Sequence, residues 1–124
     1  MKGKNRVIRW LGEPEAKDYP AAQSYLSLAF EAKVATRYVR ALRAAKVEAF
    51  KAKDIFRASG LSLLGVSNFH VERDRRKIAA GKLLSPLLLV RAPGLATVIV
   101  ADGYHRLCAV YSLDEDAVIP CKIV

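Results

Sequence analysis

The chain has 124 residues, of which 52% are hydrophobic and 27% charged, the balance of one folded domain rather than of a disordered segment. Its longest unbroken apolar runs, such as "PLLLV", have five residues, far short of the roughly 20 that a membrane-spanning helix needs. The formal net charge of +9 lies mostly in the first half, where residues 1–60 hold 13 Lys and Arg against 6 Asp and Glu, compared with 8 against 6 in residues 61–124. Such a surplus suits nucleic acid, a nucleotide or an acidic protein, and it serves plain solubility equally well.

Residues 1–20 contain Gly3, Gly12, Pro14 and Pro20 among mixed charges. They show no sustained period, so a flexible N-terminal arm is predicted. The start has no apolar stretch of signal-peptide length, and a cytoplasmic location is the expectation. From Ala21 to Lys46 there is no Gly or Pro, and Tyr25, Leu28, Ala32, Ala35, Val39 and Leu42 recur at three- and four-residue steps. The spacing predicts one long amphipathic helix over 21–46. Lys33, Arg37, Arg40 and Arg43 form a basic stripe on it, either a nucleic-acid face or a solvated surface.

"VEAFKA" reads as a short strand, and "KDIFRASG" as one or two helical turns closed by Gly60 in the left-handed region. "LSLLGVSNFH" is compatible with a strand or with a buried loop. "VERDRRKIAAGKLL" predicts a helix that ends at Gly81 and turns Val71 and Ile78 inward. "SPLLLVRA" and "TVIVA", separated by "PGLA", form a candidate hairpin or adjacent strand pair. "YHRLCAVYSL" predicts a helix with Leu107, Val110 and Tyr111 on one face. "AVIPCKIV" predicts a closing strand, placed at a sheet edge because Pro120 lacks a donor. The fold class is therefore α/β (α+β), with strands and helices mixed around one small sheet and the long helix over 21–46 before them.

Cys108 and Cys121 stand 13 positions apart without a second pair. No zinc or redox motif is legible, and two reduced, packed thiols are expected, with no metal ligand set.

The densest chemistry is "ADGYHRLCAV" (residues 101–110), which follows directly on "TVIV". A glycine at a strand-to-helix junction allows close backbone approach, and the amides of a helix start favour an anion. His105 and Arg106 add donors within the same turn, so Gly103, Tyr104, His105 and Arg106 form a candidate phosphate- or nucleotide-binding set. Asp102 is then either a catalytic base or a metal-linked carboxylate, or else a plain helix cap with Arg106 paired to it or to Glu115.

Together "KLLSPLLLVR", "VIVADGYHRLCAV" and "VIPCKIV" resemble the nucleotide-binding domain shared by ParB partition proteins and sulfiredoxin. The resemblance covers about residues 47–124. It implies that the box holds nucleotide phosphates. ParB carries Gly-Glu-Arg-Arg there, so Tyr104 and His105 depart from it. Sulfiredoxin carries Gly-Cys-His-Arg, so Tyr104 stands in place of the nucleophilic cysteine and sulfinic-acid reduction has no nucleophile. The Asp-Gly-His-His-Arg of the free-serine kinases is most similar, with Tyr104 the one departure. That similarity implies phosphate contacts from Gly103, His105 and Arg106, a catalytic role for Asp102 and an upstream glutamate, for which Glu48 is the strand-borne candidate. Two functions are expected from this: a small phosphotransferase using ATP or ADP with Mg²⁺, or a non-catalytic ParB-like module holding a nucleotide such as CTP, or nucleic acid.

Overall fold

The computed structural model describes residues 7–65, 68–92 and 97–124. Within these, α1 (Asp18–Ala29), α2 (Ala32–Ala44), β1 (Glu48–Lys51), α3 (Ala52–Ser59), α4 (Phe69–Ala79), β2 (Leu87–Ala92), β3 (Thr97–Asp102), α5 (Tyr104–Leu113) and β4 (Val118–Ile123) follow one another. The strands form one mixed sheet in the order β1-β4-β2-β3, with β2 and β4 parallel and the two outer pairings antiparallel. The α/β class expected from the sequence is the observed one. The "PGLA" connection, residues 93–96, lies outside the described residues.

β2 is buried on both faces, which explains its unbroken apolar run. Leu87 and Leu89 face a core shared with α3, α4 and α5, including Ile55, Val71, Ile78, Leu107 and Val110. Leu88 and Val90 face the opposite way, onto Ala22 and Leu26 of α1 and Ala35, Val39 and Leu42 of α2. The sheet is thus the middle of three layers, and its C-terminal β3 end delivers Asp102 between them.

The single long helix expected over 21–46 is two helices, broken where Phe30 and Glu31 adopt extended backbone. An unbroken helix of that length would run to about 39 Å, whereas four strands span only about 14 Å between outer axes. The break keeps both pieces on the sheet, with the Phe30 and Tyr38 rings 5.1 Å apart beside it. It also leaves Tyr25 and Leu28, expected to face inward, exposed, while Tyr19, Ala22 and Leu26 are the apolar residues that α1 buries. Neither Gly nor Pro marks the site, so local pattern gave no warning.

The arm expected over residues 1–20 is docked where it is described. Leu11 N donates to Leu84 O and Leu84 N to Arg9 O, both at 2.8 Å. Ile8 and Trp10 pack against the α3–α5 core. α1 then begins at Asp18, three residues earlier than expected, with Pro20 tolerated in its first turn.

β4 is an interior strand and not the edge that Pro120 suggested. Its pairing with β2 begins at Cys121, so the proline lies just short of that ladder and forfeits nothing there. The neighbouring Lys122, 2% exposed, donates to Arg43 O at 3.0 Å and pairs with Glu13 at 3.1 Å. Burial pulls its pKa down, but hydrogen bonds with Tyr19 and Glu13 outweigh that and the net direction is up, so the ammonium stays charged.

Local signals read from the sequence have clear counterparts. Gly60 closes α3 at φ 67° and Gly81 follows α4 at φ 75°. "LSLLGVSNFH" has no regular structure at residues 61–65; its Val66 and Ser67 lie outside the described residues. Asn68 accepts from His70 N at 2.9 Å and Val71 N at 3.2 Å, which starts α4 at Phe69.

Candidate functional site

β3 ends at Asp102 and α5 starts at Tyr104, with Gly103 between them at φ 105°. Two facts make this position glycine. The backbone is in the left-handed region, and a Cβ would meet Leu87 Cγ at 2.8 Å and Arg106 Nη2 at 2.9 Å. The first amides of α5 have no intrahelical acceptor and point out of the helix start.

They open into a cleft of about 210 Å³. Asp102, Gly103, Tyr104, His105 and Arg106 form one wall; Arg73, Asp74 and Lys77 of α4 form another; Glu15, Lys17 and Ser85 complete it. Arg73 and Lys77 are one helical turn apart, so both cations project toward the same side.

Arg106 folds back beneath the turn. Its Nη2 donates to Asp102 Oδ2 at 3.1 Å and to Pro86 O at 3.4 Å, and its buried Nε has no hydrogen-bond partner. Of the two partners expected for this guanidinium, Asp102 is therefore the one engaged, and not Glu115. Asp102 is not the cap residue of α5, a position that Gly103 takes. It is instead one member of a carboxyl pair: Asp18 lies within hydrogen-bonding reach of it. Burial pushes the Asp102 carboxyl above its ordinary value and Asp18 adds to this, while Arg106 pulls the other way without cancelling it.

Asp18 was not legible as a site residue. It is 3% exposed, accepts from Glu15 N at 2.9 Å and from the Ser85 hydroxyl, and so ties the N-terminal segment to the entrance of β2. Glu15, Lys17, Ser85, Arg73, Asp74 and Lys77 were also missed. For α4 the dense charge of "VERDRRKI" was a signal, but which charges face inward depends on the tertiary packing.

His105 is half-buried, and its ring lies 4.8 Å from that of His70. Burial lowers its pKa below the usual histidine value; His70, Arg73 and Arg106 push the same way against the opposing pull of Asp74. The neutral imidazole is the form favoured near neutral pH. The Tyr104 hydroxyl donates to Ser62 O, which anchors the 61–65 segment.

Cys108 and Cys121 are separate buried thiols. Burial raises both, Cys121 to about 12, so neither is a ready nucleophile. Among the described residues no group of three or more His, Cys, Asp or Glu side chains is placed to hold a metal ion. No described helix is long and apolar enough to cross a membrane.

The remaining sequence candidates lie elsewhere. Glu48 is on β1, at the opposite edge of the sheet from Asp102, with β4 and β2 between them, and the structure does not bring it to the cleft. Lys33, Arg37, Arg40 and Arg43 are exposed on α2, turned away from the buried Ala35, Val39 and Leu42. Arg43 is engaged over the Tyr19 ring at 4.5 Å. α2 covers the face of the sheet opposite α4 and α5, so the basic stripe and the cleft are separate surfaces. Comparison with known proteins finds no matching family model, curated protein or solved structure.

Proposed function

We propose that the chain binds a phosphorylated ligand, a nucleotide in the first place, at the start of α5. The observation that carries this is the convergence of Lys17, Arg73, Lys77 and Arg106 with His105 on the cleft where the Gly103 turn exposes the first helical amides. Those amides and the helix dipole favour an anion, and guanidinium groups hold phosphate oxygens bidentately. The resemblance of the DGYHR box to the ParB and sulfiredoxin phosphate box supports the same ligand class.

Titration with ATP, ADP, CTP and GTP, with and without Mg²⁺, tests it. Saturable binding by the wild-type protein is expected, weakened by about 1.5–3 kcal/mol in Arg106→Ala. An affinity unchanged in that variant, or no binding of any of the four, overturns the proposal.

A second reading, phosphoryl transfer to a small hydroxyl substrate, is favoured by the Asp18–Asp102 pair. A carboxylate with a raised pKa is a stronger base while ionised. Asp102 would take the hydroxyl proton as that oxygen bonds to the terminal phosphorus and the bond to the leaving nucleotide breaks. Mg²⁺ takes one or two carboxylates beside its phosphate oxygens; Asp102, which lines the cleft, would hold it, and when bound it would neutralise charge on the transferring group. On this reading the upstream glutamate implied by the serine-kinase resemblance is met by Glu15, which lines the cleft, and not by Glu48.

A further inference from the structure

Four rings run in series, starting from the wall of the cleft. Tyr104 and His105 are 5.6 Å apart, His105 and His70 4.8 Å, and His70 and Phe69 5.4 Å, all between ring centroids. The inner two line the cleft itself. The outermost, Phe69, is 73% exposed.

Phe69 is not a loose surface residue. It is the first residue of α4, behind the Asn68 cap. It also precedes Arg73 and Lys77 at successive four-residue steps, so the three share one broad face of the helix. Two of these three side chains line the cleft, and the third is the exposed start of the same row. A large exposed ring held on a rigid helix, in a row with phosphate-seeking cations, has the makings of a stacking surface.

We infer that Phe69, with His70 and His105 behind it, is the platform on which the base of a nucleotide stacks while its phosphates occupy the α5 end of the cleft. The inference rests on the anion reading of that cleft and adds the substrate class: a nucleoside phosphate and not a bare or sugar phosphate. Phe69 is two ring-to-ring steps from His105, each of 5.4 Å or less, so the exposed ring lies near the end of the cleft that His105 lines. Stacking tolerates any base, since every base has a π-face, so the platform predicts selection for nucleotides without strict choice among them.

The experiment compares tripolyphosphate, ATP and CTP as probes by calorimetry on the wild-type protein, Phe69→Ala and Phe69→Trp. The wild-type protein is expected to bind ATP and CTP more tightly than tripolyphosphate. Phe69→Ala should lose roughly 5- to 100-fold in affinity for both nucleotides, with tripolyphosphate affinity unchanged. Phe69→Trp should restore nucleotide binding, and its added indole fluorescence should be quenched by ATP and not by tripolyphosphate. Nucleotide affinities unmoved in Phe69→Ala, or an equal loss for all three probes, overturn the platform. Equal wild-type affinity for ATP and tripolyphosphate overturns it too but leaves the anion reading standing. No wild-type binding of any probe overturns the anion reading itself, and the platform with it.

Discussion

Asp102 and Arg106 face each other across the first turn of α5, Oδ2 3.1 Å from Nη2, and the same guanidinium nitrogen lies 2.9 Å from where a Cβ on Gly103 would stand. The ion pair and the glycine are therefore one construction. The turn can carry this arginine beneath it only because residue 103 has no side chain.

Gly103→Ala is accordingly expected to destabilise the fold through both the positive φ and the contact with Leu87 Cγ at 2.8 Å. A non-glycine residue in a strained left-handed conformation costs about 1–3 kcal/mol. Urea unfolding measures this, and a loss below about 0.5 kcal/mol, the range of ordinary surface substitutions, would show that the turn relaxes freely.

The carboxylate at 102 separates structure from chemistry. Asp102→Asn keeps an acceptor for Arg106 and removes the charge that burial and Asp18 disfavour, so stability should change little. Asp102→Ala leaves the guanidinium, whose Nε already lacks a partner, with one hydrogen bond fewer and should cost about 1–3 kcal/mol. Where the phosphotransferase reading holds, Asp102→Asn should lower turnover by roughly a hundredfold or more while the fold persists. Nucleotide conversion across a panel of small hydroxyl substrates measures it, and equal background conversion in both proteins would leave binding as the site's role.

His105 gives the pH dependence of stability a sign. Its folded pKa is depressed below the ordinary 6.5. The unfolded chain therefore takes up a proton first as pH falls, and stability present above 6.5 is lost as pH drops through the lower folded value. Asp102 acts oppositely and further down: its folded value lies above 3.8, so its penalty at neutral pH is relieved on acidification toward 3.8. Unfolding free energy measured from pH 7.5 to 5 should fall in the wild-type protein and fall less in His105→Asn. Parallel curves would show that the imidazole is not the group responsible.

Much of this site is legible in the residues themselves. The junction at Gly103, the closure of α3 by Gly60 and the inward turn of Val71 and Ile78 depend on a few neighbours in sequence, which is what patterns report. The break after Ala29 and the interior place of β4 depend on the width of the sheet and on where β2 pairing begins. The carboxyl pair is the clearest case: Asp18 reaches Asp102 only because Leu84 and Ser85 hold the N-terminal segment against the entrance of β2. No local spacing relates positions 18, 85 and 102.

The basic stripe on α2 should be independent of the cleft. α2 lies on the face of the sheet opposite α4 and α5, and salt weakens the pull of exposed charges beyond roughly 8 Å under physiological conditions. Replacing Lys33, Arg37 and Arg40 together by glutamine is therefore expected to leave nucleotide affinity unchanged, as read by calorimetry. A large loss would place the ligand on α2, where salt-sensitive, sequence-independent nucleic-acid binding would be the activity to measure.

The backbone amides at the start of α5 are the atoms on which the anion reading stands, and amide chemical shifts during a titration with ATP, and then with tripolyphosphate, report on them directly. Saturable shifts concentrated at Gly103, Tyr104, His105 and Arg106, accompanied by Arg73 and Lys77 and moved to higher ligand concentration in Arg106→Ala, are the expected result. Shifts confined to α2, or none at any of these amides up to millimolar ligand, would contradict a phosphate site at this helix start.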